Sequence, residues 1–345
     1  MLENKEKNLK KLCSINEKIL ELLNKKNILL ENEPSLNSFL IKQKLLEKLN
    51  LNNYKKLDTK YINQVFNEIY SNSFFYDNEK IVYLGPEGSY THEASINLFG
   101  INNNYYSVNS IKNIFFEVEE GRAKYGIVPI ENSSNGIVGD TINCFDNYNL
   151  NIIGETVLDI HHTLVSNCSK TQDIKIIYSK DIAFDQCSIF LENYHLNEVK
   201  YEYVDSTTKA AKLAAQTPNS AAICSKLAAK THNIPVLFES IEDKKDNKTR
   251  FLIISKFENE RNDNTKTSII VKLPNTQGSL INFLNDFKKA KINLNKIKSH
   301  IVKGISTFFI EFEGDKNDKE VQKIIKKHNS HIKVLGSYMK QIEDI

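Results

Sequence analysis

Apolar residues fall at helical spacing over the first 76 positions. Leu9, Leu12, Ile15, Ile19, Leu22, Leu23 and Leu30 trace one face of a long helix, and Phe39, Leu40, Leu45, Leu46 and Leu49 a second. Tyr61, Ile62, Val65, Phe66, Ile69 and Tyr70 trace a third. The stretch has no glycine and a single proline, Pro34, so it predicts a small all-α domain over residues 1–78. From Lys80 the pattern changes. KIVYLG, YGIVPI, IIYS, AAICS and FLIIS are short apolar runs bounded by turn and cap residues, which predicts buried strands. Helical stretches separate them, such as SIFLENYHL and STTKAAKLAAQ, the latter opened by Ser206 or Thr207 as N-cap. Alternation of this kind predicts an α/β domain over residues 79–258, and the polar run ENERNDNTK (258–266) predicts a linker. Over residues 266–345 the order is strand (TSIIVKL), helix (GSLINFLNDFKKAKI), two strands (INLNKIKSHIV, STFFIEFEG), helix (DKEVQKIIKKHN) and strand (HIKVLGSYMK). That is a βαββαβ, ferredoxin-like unit.

The totals narrow the function classes. A chain of 345 residues exceeds the usual single core, so two or three domains are expected. The net charge of +3 is small and gives no reason to invoke nucleic acid. Lysine is abundant, whereas the arginines are only Arg122, Arg250 and Arg261. Each arginine therefore carries more weight than a lysine, which lacks the planar bidentate fork. The five cysteines lie far apart with no C-x-x-C, which fits free thiols better than disulfides or zinc. MLENKEKNLKK has no apolar leader and no run is long enough to cross a bilayer, so a cytoplasmic, non-membrane protein is expected.

The densest candidate chemistry follows YGIVPI. Glu131, Asn132, Ser133, Ser134 and Asn135 put a carboxylate, two amides and two hydroxyls in five consecutive positions at a strand end, where open α/β sheets bind ligands. Taken alone, ENSS reads as a solvated loop. GPEGS (85–89) lacks the spacing of a phosphate loop. Adjacent residues on a strand point to opposite faces, so His161 and His162 cannot jointly chelate a metal, and structural roles are expected. Cys187 reads as a packed thiol.

Five blocks change that balance. YLGPEGSYTHEAS (83–95), GIVPIENSSNGIVGDTIN (126–143), IIGETVLDIHHTL (152–164), YSKDIAFDQCSIFL (178–191) and NKTRFLIIS (247–255) resemble, in order, the signature blocks of the prephenate dehydratase family. The resemblance covers residues 80–257 and implies two α/β lobes similar to type II periplasmic binding proteins, with substrate in the cleft. It implies a hydro-lyase of phenylalanine biosynthesis that converts prephenate to phenylpyruvate, CO2 and water with no cofactor or metal. Such chemistry makes three demands. The pyruvyl carboxylate needs an anchor, the departing hydroxide needs a donor, and the carboxylate to be lost must not be held in a strong ion pair. Arg250, the only arginine at a motif position of this segment, is the expected anchor through a bidentate contact. The resemblance implies that Thr249 donates to the leaving hydroxyl, and that Gln186 serves from the second lobe. Glu131, Asn132, Ser133 and Ser134 are expected to orient the substrate, with Ser179 and Ser206 as further candidates. Gly88 is expected to allow close backbone approach and Ser89 to add a hydroxyl.

The helical segment resembles the chorismate mutase domain of bifunctional enzymes, through INEKILELLNKK (15–26) and YINQVFNEIYSNS (61–73). That family holds its dicarboxylate with arginines. Residues 1–121 here contain none: Lys26 stands at one family arginine, Ile41-Lys42 align with an Arg-Glu pair, and ENEPSLNSF (31–39) is short and lacks the usual lysine. Two readings stand, a mutase site rebuilt around Lys10, Lys26 and Lys42, or a helical remnant kept for dimerisation, and the second is preferred. NTQGSLINFL (275–284), Asn293-Leu294 and LGSY (335–338) resemble the ACT regulatory domain. Its resemblance implies an amino-acid effector, L-phenylalanine, at Gly278, Ser279, Leu280 and Ser299. The second effector motif departs from the family, reading Lys298-Ser299-His300-Ile301. ACT units pair edge to edge, so a homodimer or homotetramer is expected. The rival reading is a non-catalytic intracellular sensor of an amino acid or aromatic acid on the same two-lobed fold.

Overall fold

The computed structural model describes residues 2–33, 39–51, 57–75, 79–261, 265–302 and 305–340. The chain forms two compact units, residues 1–79 with 99–104, and Lys80–Leu98 with the chain from Tyr105 onward. Among its described residues the first holds three helices, α1 (Leu2–Asn32), α2 (Phe39–Leu51) and α3 (Thr59–Phe75), as the periodicity predicts. The Asp58 carboxylate caps α3 by accepting from the Tyr61 N–H at 2.7 Å. One expectation fails. Leu9, Leu12, Ile15 and Ile19 are exposed in the single chain, although their spacing marks a packing face. The reason is length: α1 has 31 residues, while α2 and α3 have 13 and 17. Of the ENEPSLNSF connection, residues 34–38 lie outside the described residues.

The second unit begins with a lobe of mixed sheet. Its elements are β1 (Lys80–Leu84), α4 (Tyr90–Phe99), β2 (Asn104–Val108), α5 (Ile111–Glu119), β3 (Tyr125–Asn132), β4 (Gly136–Ile137), α6 (Gly139–Asn147) and β5 (Asn151–Asp159). The chain then crosses to a second lobe with β6 (Thr163–Ser166), β7 (Ile176–Ser179), α7 (Asp181–Asp185), α8 (Ser188–Asn193) and β8 (Lys200–Tyr203). That lobe continues with α9 (Thr207–Gln216), β9 (Ser220–Cys224), α10 (Lys226–Thr231) and β10 (Val236–Phe238). A return passage leads to β11 (Lys248–Ser255), which inserts between β3 and β5 of the first lobe. The sheet orders are β2-β1-β3-β11-β5 and β10-β6-β9-β7-β8. In each lobe a strand that has just crossed over lies antiparallel among the others, which is the expected two-lobed, periplasmic-binding-protein-like arrangement. Gly126 is required in β3, because a Cβ there would meet Ile114 Cγ2 at 2.7 Å and Ile254 Cγ1 at 2.9 Å.

The C-terminal part is a sheet of β12 (Thr265–Lys272), β13 (Leu294–Val302), β14 (Ile305–Glu313) and β15 (Ile332–Met339), with α11 (Ser279–Ala290) and α12 (Lys319–Lys327). Its strand order is β13-β14-β12-β15, antiparallel throughout. One face packs on the helices through Ile269, Val271, Phe283, Phe287, Ile310 and Phe312. The opposite face supplies Ile270, Phe309, Leu335 and Tyr338 to the core of the first lobe. Contact is close enough that Gly336 (φ +145) cannot be replaced freely: a Cβ would lie 2.2 Å from the Ile152 carbonyl oxygen. The stretch read as a linker is partly pinned as well. Asn259 donates to the carbonyls of Ile153 (2.8 Å) and Ser337 (3.1 Å), while residues 262–264 lie outside the described residues. Among the described residues, no helix is long and apolar enough to cross a membrane.

Candidate active site

The end of β3 and the start of β11 meet in register, with Thr249 opposite Asn132 and Arg250 opposite Glu131. Neighbouring strand residues face opposite ways, so the pairs separate to two sides of the sheet. On one side the Asn132 amide nitrogen lies 2.9 Å from Thr249 Oγ1, 2.9 Å from Asn247 Oδ1 and 3.1 Å from the Lys248 carbonyl oxygen. The other end of that amide is fixed too, because Oδ1 accepts the backbone N–H groups of Ser134 and Asn135, both at 3.0 Å. This Asx turn is why an asparagine ends the strand. Its consequence is chemical. With Asn132 N–H directed at it, Thr249 Oγ1 is an acceptor on that side, and its own hydrogen is left to donate elsewhere.

On the other side stands a correction. Arg250 does not reach toward a substrate. It is 3% exposed, its Nε donates to Glu155 Oε2 at 2.7 Å, and its two terminal nitrogens bond Glu311 at 2.8 and 2.5 Å. The Tyr338 hydroxyl lies 3.2 Å away, and buried Lys266 pairs with Glu155 at 2.8 Å. Burial alone would lower the guanidinium pKa. Glu311, Tyr338 and Glu155 together outweigh it and hold the value well above normal. In turn burial would raise the Glu311 carboxyl, but Arg250 and Lys266 pull it down to about 2. Glu131 is corrected likewise. It is buried and ion-paired with Lys296 and Lys298 of β13, whose hydrogen bonds overcome the opposing effect of burial and lower its pKa. Both residues bind the C-terminal sheet to the lobe.

Most of the candidate serines hold backbone. Ser89 and Ser206 cap α4 and α9, Ser89 Oγ also donating to the Leu84 carbonyl at 2.8 Å. Ser179 is fully buried and donates to the Ile223 carbonyl at 2.8 Å. Ser133 Oγ donates to the Asp246 carbonyl and accepts the Lys248 N–H, which ties the ENSS turn to the return passage. Ser134 is exposed beside Asn132. Gly88 (φ +87) does allow a close approach, but to the second lobe: a Cβ would lie 3.1 Å from Ala228 Cα, and its carbonyl accepts from Ser225 Oγ at 2.9 Å.

Gln186 lies at the end of α7, its Oε1 2.8 Å from His162 Nε2. His162 Nδ1 is 2.7 Å from the Tyr90 hydroxyl, which also donates to the His161 carbonyl at 2.9 Å. Glu242 grips the same crossover. One of its oxygens accepts the His162 N–H at 2.8 Å and the other meets His161 Nδ1 at 2.7 Å. The two histidines do part, His162 inward and His161 with a half-exposed side chain. Burial pushes the Cys187 thiol well up, so it is no ready nucleophile.

Residues 81–259 match the family model for prephenate dehydratase. The chain belongs to the prephenate dehydratase family. A bifunctional chorismate mutase/prephenate dehydratase of Aquifex aeolicus is 36% identical over 269 residues, 76% of this chain and 74% of that one. One from Buchnera aphidicola, 29% identical, spans 98% of this chain and 94% of its own length. Among solved structures, prephenate dehydratase from Arthrobacter aurescens in complex with L-Phe is similar with TM-score 0.67 and 28% identity, covering 76% of this chain and 90% of that one. Within this dehydratase-family chain, Tyr90, His162, Glu242 and Asn247 are contacts of the candidate site that sequence reasoning missed. Asn247 opens the NKTRFLIIS block, and that position was its signal. The other three are joined only by folding.

The residues aligned with effector motifs lie in the C-terminal part, three at the start of α11 and one on β13. Gly278 (φ +82) opens α11, Ser279 Oγ donates back to the carbonyls of Pro274 and Thr276, and Leu280 packs on the helix-side core. Ser299 is exposed on β13, while Lys298 and His300 on either side of it meet Glu131 and Gly139 of the lobe. In the helical unit, Lys42 is buried with its ammonium 6.0 Å from the Tyr70 ring, and Lys26 lies 4.5 Å over the same ring. Burial lowers Lys42 to about 7, with Glu68 opposing and Lys26 adding to the shift. Lys10 is exposed.

Proposed function

We propose that the chain acts on prephenate with Thr249 as the donor to the departing oxygen. As the ring carboxylate leaves as CO2, its electron pair completes the aromatic ring and the C–O bond breaks. The hydroxide takes up a proton and leaves as water, and phenylpyruvate remains. The observation that carries this reading is the 2.9 Å bond from the Asn132 amide to Thr249 Oγ1. It turns a weak acid into an oriented donor, which stabilises charge developing on the leaving oxygen. With Arg250 turned away, the substrate is oriented by the neutral groups Ser134 and Gln186, while Asn132, engaged at both ends of its amide, acts through Thr249. They do not hold the departing carboxylate in a strong ion pair. Thr249→Val tests the reading: turnover falls by roughly 100-fold or more while substrate binding changes little. A sensor on the same fold would have no turnover to lose, and unchanged turnover in the variant would refute the role of Thr249.

The domain limits 1–78, 79–258 and 266–345 belong to the same proposal. The βαββαβ order of the last part supports an ACT regulatory domain, and the relative holding L-Phe supports that amino acid as effector at Gly278, Ser279, Leu280 and Ser299. Adding L-phenylalanine is expected to lower the dehydratase rate. A homodimer or homotetramer in the cytoplasm completes the reading. The helical unit is proposed as a remnant without mutase chemistry, because a lysine with pKa near 7 neither carries a full charge nor offers a fork. Phenylpyruvate formed from chorismate would overturn that.

A further inference from the structure

We propose that His162 is a positioning residue that fixes the amide of Gln186, presenting its NH2 group to the substrate, with Tyr90 setting the histidine tautomer. The inference rests on the reading that Gln186 acts on substrate, and it adds how that side chain is held.

An amide side chain has an accepting end and a donating end of nearly equal size. A glutamine in a polar cleft can therefore turn over and present the wrong one. Gln186 has its Oε1 2.8 Å from His162 Nε2. Carbonyl oxygen only accepts, so Nε2 carries the hydrogen. A neutral ring with hydrogen on Nε2 has a bare Nδ1, which must accept. It faces the Tyr90 hydroxyl at 2.7 Å, whose one hydrogen is shared between Nδ1 and the His161 carbonyl oxygen at 2.9 Å, Nδ1 being the nearer acceptor. The proton order runs from Tyr90 O–H to Nδ1, then from Nε2–H to Oε1. It leaves the Gln186 amide nitrogen as the end turned elsewhere. The ring itself is held from behind, through its own backbone N–H to Glu242 Oε2 at 2.8 Å and by edge contact with the Tyr90 ring at 5.8 Å. Burial lowers the pKa of His162 against the opposing influence of Gln186 and Glu242, so the ring is neutral near pH 7. The geometry thus needs both neighbours. Tyr90 comes from the first lobe, His162 from the crossover and Gln186 from the second lobe.

The test is a double-variant comparison on the full-length chain with prephenate as substrate. Gln186→Leu is expected to lower kcat roughly 100-fold. His162→Leu is expected to lower kcat at least tenfold with KM within about twofold, and the double variant to be no slower than Gln186→Leu alone, since residues acting as one unit are not additive. His162→Gln keeps an N–H near the Nε2 position and should recover most of the loss. Independently of any variant, nitrogen-15 NMR of the intact protein should find His162 as the Nε2–H tautomer. Multiplying losses in the double variant, or an Nδ1–H tautomer, would overturn the inference while leaving Gln186 as a substrate contact. A Gln186→Leu enzyme of normal kcat would sink the role of Gln186 and this inference with it. Should His162→Leu not fold, Tyr90→Phe and His162→Gln carry the same comparison.

Discussion

Replacing Arg250 with methionine should damage stability far more than substrate binding. Its site holds two cations, Arg250 and Lys266, against two carboxylates, Glu155 and Glu311, with side-chain exposures of at most 3%. The change keeps an unbranched apolar stem but leaves two buried carboxylates facing one lysine. Breaking a buried pair in this way costs about 3–5 kcal/mol. At roughly 2–4 °C per kcal/mol for a body of this size, Tm should fall by about 6–20 °C. The assay is paired: thermal unfolding by circular dichroism, and prephenate kinetics at a temperature where both proteins are folded. Glu311→Gln should destabilise through the same cluster, and the double variant should show a coupling of roughly 0.5–3 kcal/mol. A variant with unchanged Tm and a KM raised 100-fold would refute the argument and restore Arg250 as a substrate anchor.

Other outcomes follow from the same geometry. Glu311 is depressed from 4.5 to about 2 in the folded chain, so its contribution is complete above 4.5 and fades as pH falls toward 2. Acid titration of Tm should therefore show that part of the loss only between those limits, and Glu311→Gln should remove it. Lys42 runs the other way: with a folded value near 7 against 10.5, the helices should gain stability as pH rises between them, and Lys42→Met should flatten the trend. Glu131→Gln should leave kcat within a few-fold and lower Tm, as it loses charge-assisted bonds worth roughly 1.5–3 kcal/mol each; a kcat collapse at unchanged Tm would contradict its placement. Gly336→Ala should cost roughly 1–3 kcal/mol or more, read by denaturant unfolding, because the clash is with backbone.

How much of this could be read from the sequence differs by element. The runs KIVYLG, YGIVPI, IIYS, AAICS and FLIIS all became strands, since continuous burial leaves an apolar signature. The strands NYYSV and KYEY were not read as such, because they are half-exposed and their alternation is too brief to stand out. VLF has only three residues. At the site, Asn132 and Thr249 were legible as motif positions. Arg250 was misassigned for a reason the sequence already contained: if Thr249 faces the substrate, its strand neighbour must face away. The chain from Tyr90 through His162 to Gln186 left no comparable trace, since its contacts span 72 and 24 positions and no local spacing encodes them.

The sheet of β3 and β11 is used from both sides, and this bears on the modularity of the chain. Truncation before Thr265 would remove no residue of the Asn132–Thr249 pair. It would nevertheless strand Arg250 and Glu155 without Glu311, free Glu131 of Lys296 and Lys298, and bare the apolar face that covers Ile152. A gene could not shed its last quarter by a single stop codon and keep a well-folded dehydratase. The loss would have to follow substitutions that first made the outer face of the first lobe fit for water.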